Sequence, residues 1–418
     1  MPLPSRPAPP LLHPGDGEGH KGKRLHEEQL EPQKGAPGEL GILGQQQHRP
    51  GTDEKQRHRQ ELAGEGPLLT QDRAGVRPLF NYALLPEYGS KDVIARRNLK
   101  LTPSDVKRLN ANTFAFAFDV PKANTPSAVL FLEVTDVQAS RKMLHDIPFR
   151  FTPARLGDSY AVFSQRSTFP SLRSYFFNND TLRIADLKGS SRNLVVTRYA
   201  YDFEPAAPPM GAGNRNAPKT LAIDTTFGLR TNQPFVLNTP GLYLLREDTS
   251  QVQGMGILIT NDRYPRFTHP DQLLKPLIYI STRNEIKEIS STNAPKKTLD
   301  TYWMRLASNN ESKARRSIRS YYRRVTTANQ LFTTYKEGWK TDMGMVYIVL
   351  GPPDQVTRSK DKEVWLYTQN ANFSEINFTF MRRSNQFLED SYELVRYVEY
   401  EPMWYPVVEE WRIGIVER

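Results

Sequence analysis

Cysteine is absent from the 418 residues of this chain. This absence excludes disulfides, thiolate nucleophiles, cysteine-ligated zinc sites and iron–sulfur clusters. It also excludes the acylated cysteine through which bacterial lipoproteins are anchored. A chain without cysteine suits a reducing compartment as well as an oxidising one, so the composition leaves the compartment open.

Long apolar runs are missing as well. No stretch approaches the ~18 consecutive apolar residues of a membrane helix. Met1–Pro4 leads into a polar, Pro-rich tract, so no signal peptide is visible. Beyond the first 79 residues histidine occurs only at His145 and His269, and no Gly-x-Ser-x-Gly, His-Glu-x-x-His or phosphate-loop pattern is present. We therefore expect no cofactor and no metal site.

Residues 1–79 differ in composition from the rest of the chain. They contain 12 Gly, 11 Pro and no aromatic residue. Such a segment cannot bury enough apolar area to offset chain entropy, which predicts disorder. Two other interpretations stay open: a histidine-bearing metal tail, which the irregular histidine spacing disfavours, and a start codon assigned too early. The second would remove a true export signal from view.

A β-rich middle follows, from about residue 80 to residue 283. Phe114–Val120 alternates large and small residues, as a half-buried strand does, and Ala128–Val134 follows it after a turn. Short strands separated by Gly, Pro and Asn predict one or two immunoglobulin-like sandwiches. We place one β domain at 80–204, a loose Pro/Gly linker at 205–219 and a second small β domain at 220–283.

The region 284–418 predicts an α+β domain. Apolar residues recur at spacings of three and four between Asn284 and Lys336, with a break at 309–312, which predicts helices. Five later segments predict strands of an antiparallel sheet: Met345–Leu350, Lys362–Tyr367, Ile376–Arg382, Leu394–Glu399 and Glu409–Val416. All five tryptophans lie in this region, and we expect them to anchor its core.

One face of the long predicted helix is strongly basic. Its six cations are Lys313, Arg315, Arg316, Arg319, Arg323 and Arg324. A solvated face, with stems lying over apolar neighbours, is one interpretation. The other is a stripe that binds phosphate groups, lipid headgroups or an acidic partner, in keeping with the net charge of +10. No nucleic-acid recognition motif accompanies the stripe.

The most distinctive residues lie between Gly338 and Trp365. They are Gly338, Trp339, Thr341, Asp342, Gly344, Gly351, Pro352, Pro353, Asp354 and Trp365. Together with Leu299-Asp300-x-x-Trp303 and Tyr321–Val325, these residues resemble the GWxTD-domain family of bacterial proteins over roughly 299–380. The resemblance implies a protein of the cell envelope, periplasmic or associated with the outer membrane, with no assigned chemistry.

The residue types of this motif favour structural roles. Gly338 supplies a turn with positive φ, Trp339 fills the gap between helix and sheet, and Thr341 and Asp342 accept from backbone N–H groups. Gly344 permits close backbone approach. Gly351–Asp354 forms a rigid turn, with Asp354 bonded to backbone or to an arginine of the helix.

Asp342 and Asp354 are the remaining candidates for a catalytic carboxylate pair. Flanking a strand, they would lie ~20 Å apart, beyond the ~5–10 Å of glycosidase pairs. We therefore favour a non-enzymatic binding or assembly module of the envelope. The alternatives are a carboxylate-based hydrolase acting on envelope polymer and a binder of anionic ligands or nucleic acid through the arginine-rich helix.

Overall fold

The computed structural model describes two short strands at 45–47 and 57–65 and then residues 79–416. Within the second range it leaves out these positions: 103–104, 109–112, 137–140, 152, 154, 166, 168, 172, 187, 201, 212–219, 369–374 and 389. The predicted disorder of 1–79 therefore falls outside the described residues, apart from the two strands. The fold is mainly β with a helical C-terminal part, as predicted.

Two antiparallel sheets form a first sandwich. Their strands are β1 (Gln45–Gln47), β2 (Arg57–Glu65), β3 (Leu79–Leu85), β4 (Ala95–Leu99), β5 (Val106–Arg108), β6 (Thr113–Pro121), β7 (Ser127–Asp136) and β8 (Arg141–Arg150). The sheet orders are β4-β3-β7-β8 and β1-β2-β6-β5. The sheets meet through aromatic pairs, with the rings of Phe80 and Phe116 5.0 Å apart and those of Tyr82 and Phe118 5.4 Å apart. Phe116 and Phe118, two of the alternating aromatics seen in the sequence, thus lie on the inward face of β6.

A second sandwich follows directly. Its elements are α1 (Leu156–Ser159), β9 (Tyr160–Ser164), β10 (Tyr175–Phe177), β11 (Thr181–Asp186), β12 (Asn193–Tyr199), β13 (Thr225–Arg230), β14 (Pro234–Val236), β15 (Gly241–Arg246) and β16 (Met255–Thr260). The sheet orders are β10-β16-β15-β12-β13 and β14-β11-β9. Leu182 and Ile184 from the smaller sheet share a core with Val196 and Leu245 from the larger one.

The sheets of the second sandwich do not follow the division expected at 205–219. Strand β12, before that segment, pairs with β13 and β15 after it, so that Val196 lies opposite both Phe227 and Leu245. Strand β11 likewise pairs with β14. Strands from the proposed domains 80–204 and 220–283 therefore share one sandwich, because alternating apolar residues locate strands but not their partners.

The C-terminal part packs helices on an antiparallel sheet. The helices are α2 (Pro270–Leu274), α3 (Arg283–Ser290), α4 (Pro295–Leu306), α5 (Glu311–Phe332), α6 (Asp342–Leu350) and α7 (Glu401–Arg412). The strands are β17 (Gln355–Arg358), β18 (Lys362–Tyr367), β19 (Ile376–Arg383) and β20 (Ser391–Leu394), in that order. Every tryptophan here is buried, which confirms the expected core anchors: Trp303, Trp339, Trp365, Trp404 and Trp411.

The strand predicted at Met345–Leu350 is wrong, because this segment belongs to α6. Met345, Val346, Ile348 and Val349 are all fully buried. A helix surrounded by core on every side has no polar face, so its apolar residues do not repeat every three or four positions. Such a sequence cannot be distinguished from that of a buried strand. Capping decides the outcome: the Thr341 side chain accepts from the Gly344 N–H at the start of α6.

The closing strands are also partly wrong. Glu409–Val416 overlaps α7, and β20 ends at Leu394 before a 3-10 turn at Val398–Tyr400. Proline at positions 402 and 406 concealed α7 in the sequence. In the structure Pro402 occupies the first turn, where its missing N–H costs little. The expected break at 309–312 is confirmed, whereas a second break between α3 and α4 went unpredicted.

Candidate functional site

Trp339 is held by a fully buried asparagine of α5. The Asn329 Oδ1 accepts from the Trp339 backbone N–H at 2.9 Å, and the Asn329 Nδ2 donates to the Pro265 carbonyl at 3.0 Å. The Trp339 carbonyl accepts from the Tyr279 hydroxyl at 2.7 Å. The backbone of the motif tryptophan is thus joined by hydrogen bonds to two separate segments, and Asn329 links it to a third at Pro265.

Gly338 and Gly344 of the motif stand where no larger residue fits. A Cβ at Gly338 would run into the backbone of Ala328 and Asn329, and a Cβ at Gly344 would run into the Gly338 carbonyl. The close approach expected of Gly344 is confirmed. The positive φ expected of Gly338 is wrong, since among the described glycines positive φ occurs at Gly351 and four others but not at Gly338.

Thr341 and Asp342 each serve the backbone. The Thr341 hydroxyl donates to the Gly338 carbonyl at 2.7 Å and accepts from the Gly344 N–H at 3.0 Å. The Asp342 carboxylate accepts from the Leu394 N–H at 2.8 Å and pairs with the Arg396 guanidinium. Asp342 therefore ties the start of α6 to the end of β20, 52 residues further along.

The Gly351–Asp354 turn is fixed from both sides. Gly351 has φ of 91°, and its carbonyl accepts from the Tyr367 hydroxyl at 2.9 Å. Pro352 and Pro353 follow it, and Asp354 accepts from the Thr368 N–H at 2.7 Å and from its hydroxyl at 2.6 Å. Asp354 is bonded to Thr368 rather than to an arginine of α5.

Asp342 and Asp354 do not converge on a common space. Asp342 is the first residue of α6, Asp354 lies beyond the other end of this helix, and the two bind different partners. The separation estimated from a strand no longer applies, since a nine-residue helix spans about 13 Å. Within the residues that the structure describes, no group of three or more His, Asp or Glu side chains is arranged to hold a metal ion.

The basic face of α5 is smaller than the sequence predicted. Arg324 is buried, and its Nη1 donates to the carbonyls of Val349 at 2.8 Å and Ile348 at 3.2 Å. Arg315 pairs with Glu311 one turn earlier. Lys313 is half-buried, and its stem runs past Gly414.

Arg316, Arg319 and Arg323 remain exposed on this face. Neither Arg316 nor Arg319 forms an ion pair or a side-chain hydrogen bond with any residue that the structure describes. We call Arg316, Arg319 and Arg323 the arginine face.

The segment 202–211 lies across the motif, a contact that sequence reasoning missed. The Asp202 carboxylate pairs with Lys340 and with Lys275. Ala206 and Pro209 are buried. Residues 205–211, the described part of the linker that was expected to be loose, are therefore packed against the domain.

The Arg396 side chain binds backbone carbonyls of the segment 202–211. Its guanidinium donates to the carbonyls of Ala207 at 3.2 Å and Pro208 at 3.3 Å. Because this guanidinium also pairs with Asp342, the segment and the motif are held by one side chain.

Two lysines beside this segment have shifted pKa values. Burial opposes the charge of Lys340, but the Glu337 and Asp202 carboxylates outweigh it and raise the Lys340 pKa above its ordinary value of 10.5. Burial lowers the pKa of Lys336 to about 8, although Asp342 acts in the opposite direction. Asp202 precedes the Pro-rich stretch and Lys340 lies inside the motif. Nothing in the sequence indicated that these two residues form an ion pair.

None of the helices in the described part of the chain combines the length and apolarity that crossing a membrane requires. Residues 241–413 match the GWxTD domain, which confirms the resemblance and extends it on both sides. The match begins at β15 and therefore includes two strands of the second sandwich. No curated protein and no solved structure matches the chain.

Proposed function

We propose that this chain, whose residues 241–413 form a GWxTD domain, is a non-enzymatic binding module of the cell envelope. Its working surface is the arginine face of α5, and its partner is a protein with an acidic surface. The envelope location rests on the family resemblance. One observation carries the proposal: Arg316 and Arg319 are exposed and form no ion pair with any residue in the described part of the chain.

The arginine face is electrostatically unfavourable in the isolated chain. Arg319 and Arg323 are like charges four residues apart on one helix, and such a pair costs about 0.2–0.5 kcal/mol. A carboxylate-bearing partner would relieve this repulsion, and the planar guanidinium binds carboxylates through two parallel hydrogen bonds.

The chemistry of the face favours a protein over a lipid or a nucleic acid. The aromatic residues of α5 point elsewhere: Tyr321 is fully buried, and the Tyr322 hydroxyl donates to the Leu273 carbonyl at 2.7 Å. The face thus offers no ring on which a base would stack. It also offers no exposed large apolar side chain to enter a bilayer interface.

The motif supports a non-catalytic role. Asp342 and Asp354 are engaged by Leu394, Arg396 and Thr368. A carboxylate that works as a general base or nucleophile has to reach its substrate, whereas these two hold backbone segments together.

Binding of three defined anionic probes tests the proposal. Poly-glutamate, vesicles with anionic lipid and single-stranded DNA are titrated at about 50 mM and about 200 mM salt. We expect Arg316→Glu/Arg319→Glu to weaken poly-glutamate binding by roughly tenfold or more. Arg96→Glu/Arg97→Glu, at two exposed positions of β4, makes the same change in net charge and is expected to leave binding unchanged.

The outcomes separate the possible partners. Equal losses in both double variants would mean that net charge alone attracts the probe, and the arginine face would not be a site. Vesicles or DNA bound more tightly than poly-glutamate, with the same dependence on Arg316 and Arg319, would replace the acidic protein by one of those partners.

A further inference from the structure

Helix α7 and the 3-10 turn before it present an unpartnered face. Its residues recur at helical spacing and are all exposed: Val398, Glu401, Pro402, Tyr405, Pro406, Glu409, Glu410 and Ile413. The opposite side of α7 carries Met403, Trp404, Val407 and Trp411, which are buried in the domain core. We call the exposed side the α7 outer face.

The α7 outer face combines apolar surface with acidic groups. Val398 is 61% exposed, Tyr405 54% and Ile413 46%. Exposed apolar side chains gathered on one face and rimmed by charge mark interaction surfaces in soluble proteins. The prolines at 402 and 406 add rigid apolar surface without side-chain entropy to lose.

The acidic groups of this face are mostly uncompensated. Glu401 and Glu410 form no ion pair with any residue that the structure describes. Glu409 lies 3.8 Å from the Arg412 guanidinium, but Arg412 is turned toward the buried Glu285, at 2.8 Å. A partner for this face therefore brings cations.

We infer that the α7 outer face binds the arginine face of a second copy of this chain. The two surfaces complement each other in charge, with Arg316 and Arg319 exposed on one and Glu401 and Glu410 exposed on the other. Tyr405 offers a ring on which a guanidinium stacks, and the prolines receive the arginine stems. The inference rests on the proposed function, since it names the acidic partner of the arginine face.

Within the residues that the structure describes, the two faces form no ion pair with each other in one copy. Helices α5 and α7 already contact each other through other residues, with the rings of Tyr321 and Trp411 5.3 Å apart and the Arg324 guanidinium 4.9 Å from the Trp411 ring. On each helix the face in question lies away from this contact. Two different surfaces that bind between copies give head-to-tail association, which closes into rings or grows into chains.

Sedimentation velocity of the full chain tests the inference through charge reversal. At about 20 mM salt we expect the average mass to rise with concentration, and at about 500 mM salt to fall toward the monomer. Arg316→Glu/Arg319→Glu alone and Glu401→Arg/Glu410→Arg alone should each weaken association roughly tenfold. The four changes together restore opposite charges across the contact and should restore association.

Each outcome bears on one claim. A monomer at every concentration in low salt, or association that neither reversal weakens, overturns the inference. Poly-glutamate binding that depends on Arg316 and Arg319 in a chain that stays monomeric leaves the proposed function standing and removes only the second copy. Circular dichroism of each variant checks folding, and Arg96→Glu/Arg97→Glu again serves as the control for net charge.

Discussion

The Arg324 guanidinium closes the end of α6 by donating to the Val349 carbonyl at 2.8 Å. The last carbonyls of a helix lack intrahelical partners, and a cation there also meets the negative end of the helix dipole. The same guanidinium stacks on Trp411. Arg324 thus joins α5, α6 and α7, although its spacing in the sequence placed it among the surface arginines.

Replacing Arg324 by Met should destabilise the chain by about 2–4 kcal/mol. The substitution keeps most of the side-chain volume but leaves the Ile348 carbonyl without its side-chain donor, and an unsatisfied buried group costs about 1–3 kcal/mol. The Val349 carbonyl also loses a charged donor, but it keeps the Trp411 Nε1–H at 3.0 Å. Chemical denaturation followed by tryptophan fluorescence measures the loss, because all five tryptophans lie in this domain.

Arg316→Met is the matched control, since it makes the same chemical change at an exposed position of the same helix. We expect it to alter the free energy of unfolding by no more than about 0.5 kcal/mol. Equal effects of the two substitutions would show that Arg324 is no more structural than an exposed arginine.

Sequence patterns located most elements of the fold but misassigned those that the core surrounds. Helix α5 was predictable because one face is apolar and the other is charged. Helix α6 was not, because the residues from Met345 to Val349 are buried on every side and carry no period. Strand partners in the second sandwich were hidden too, since nothing local in β12 indicates that β13 and β15 flank it.

The sequence predicted that α5 has a basic face, but it did not predict which of the six cations lie on the surface. The cation-rich face of α5 was visible, yet the sequence could not show which arginine faces inward. That depends on where α6 ends relative to α5, and this is a tertiary relationship. The α7 outer face was missed because Glu409–Val416 was predicted as a strand and residues 400–408 were assigned to no element. Tyr405 and Glu409 were therefore not recognised as neighbours on one helix.

Gly344→Ala should prevent the domain from folding at ordinary temperature. The added Cβ would overlap the Gly338 carbonyl, and both atoms belong to packed backbone that cannot yield. Gly228→Ala, in strand β13, is the control, because a Cβ there meets no atom within 4 Å. Soluble yield and thermal unfolding compare the two, and a Gly344→Ala chain as stable as its control would contradict the packing described for the motif.

Asp342→Asn should weaken the fold and leave any binding by the arginine face intact. The amide cannot hold the Arg396 guanidinium as the carboxylate does, and removing one partner of a largely buried ion pair costs about 3–5 kcal/mol. Denaturation measures the loss, and poly-glutamate titration below the unfolding transition measures binding. A normally stable variant that has lost a hydrolytic activity toward envelope polymer would instead support the carboxylate-hydrolase alternative.

Stability should fall as the pH drops below about 6.5, through a single histidine of the first sandwich. His145 lies on β8 between Met143 and Ile147, facing the same side of the strand. Its Nε2 is buried and has no hydrogen-bond partner among the described residues. Burial lowers the pKa of His145 from its usual 6.5, Arg358 lowers it further, and Asp146 opposes them.

The sign of the effect follows from this direction. A histidine whose pKa is lower in the folded state is protonated first in the unfolded state, so the unfolded chain binds more protons below pH 6.5. The stability that neutral His145 contributes is complete above that pH. It is lost as the pH falls toward the folded-state pKa, at no more than ~1.4 kcal/mol per pH unit for one proton.

His145→Gln should flatten this dependence between about pH 5 and pH 7, because glutamine does not titrate. Denaturation midpoints of the two chains across that range measure the difference. The Asp146 carboxylate, 3.0 Å from Arg358 and 2.6 Å from the Tyr88 hydroxyl, keeps its partners in both chains, so its contribution cancels. Parallel pH profiles for the two chains would show that His145 takes up its proton equally in both states and that its burial has no consequence for stability.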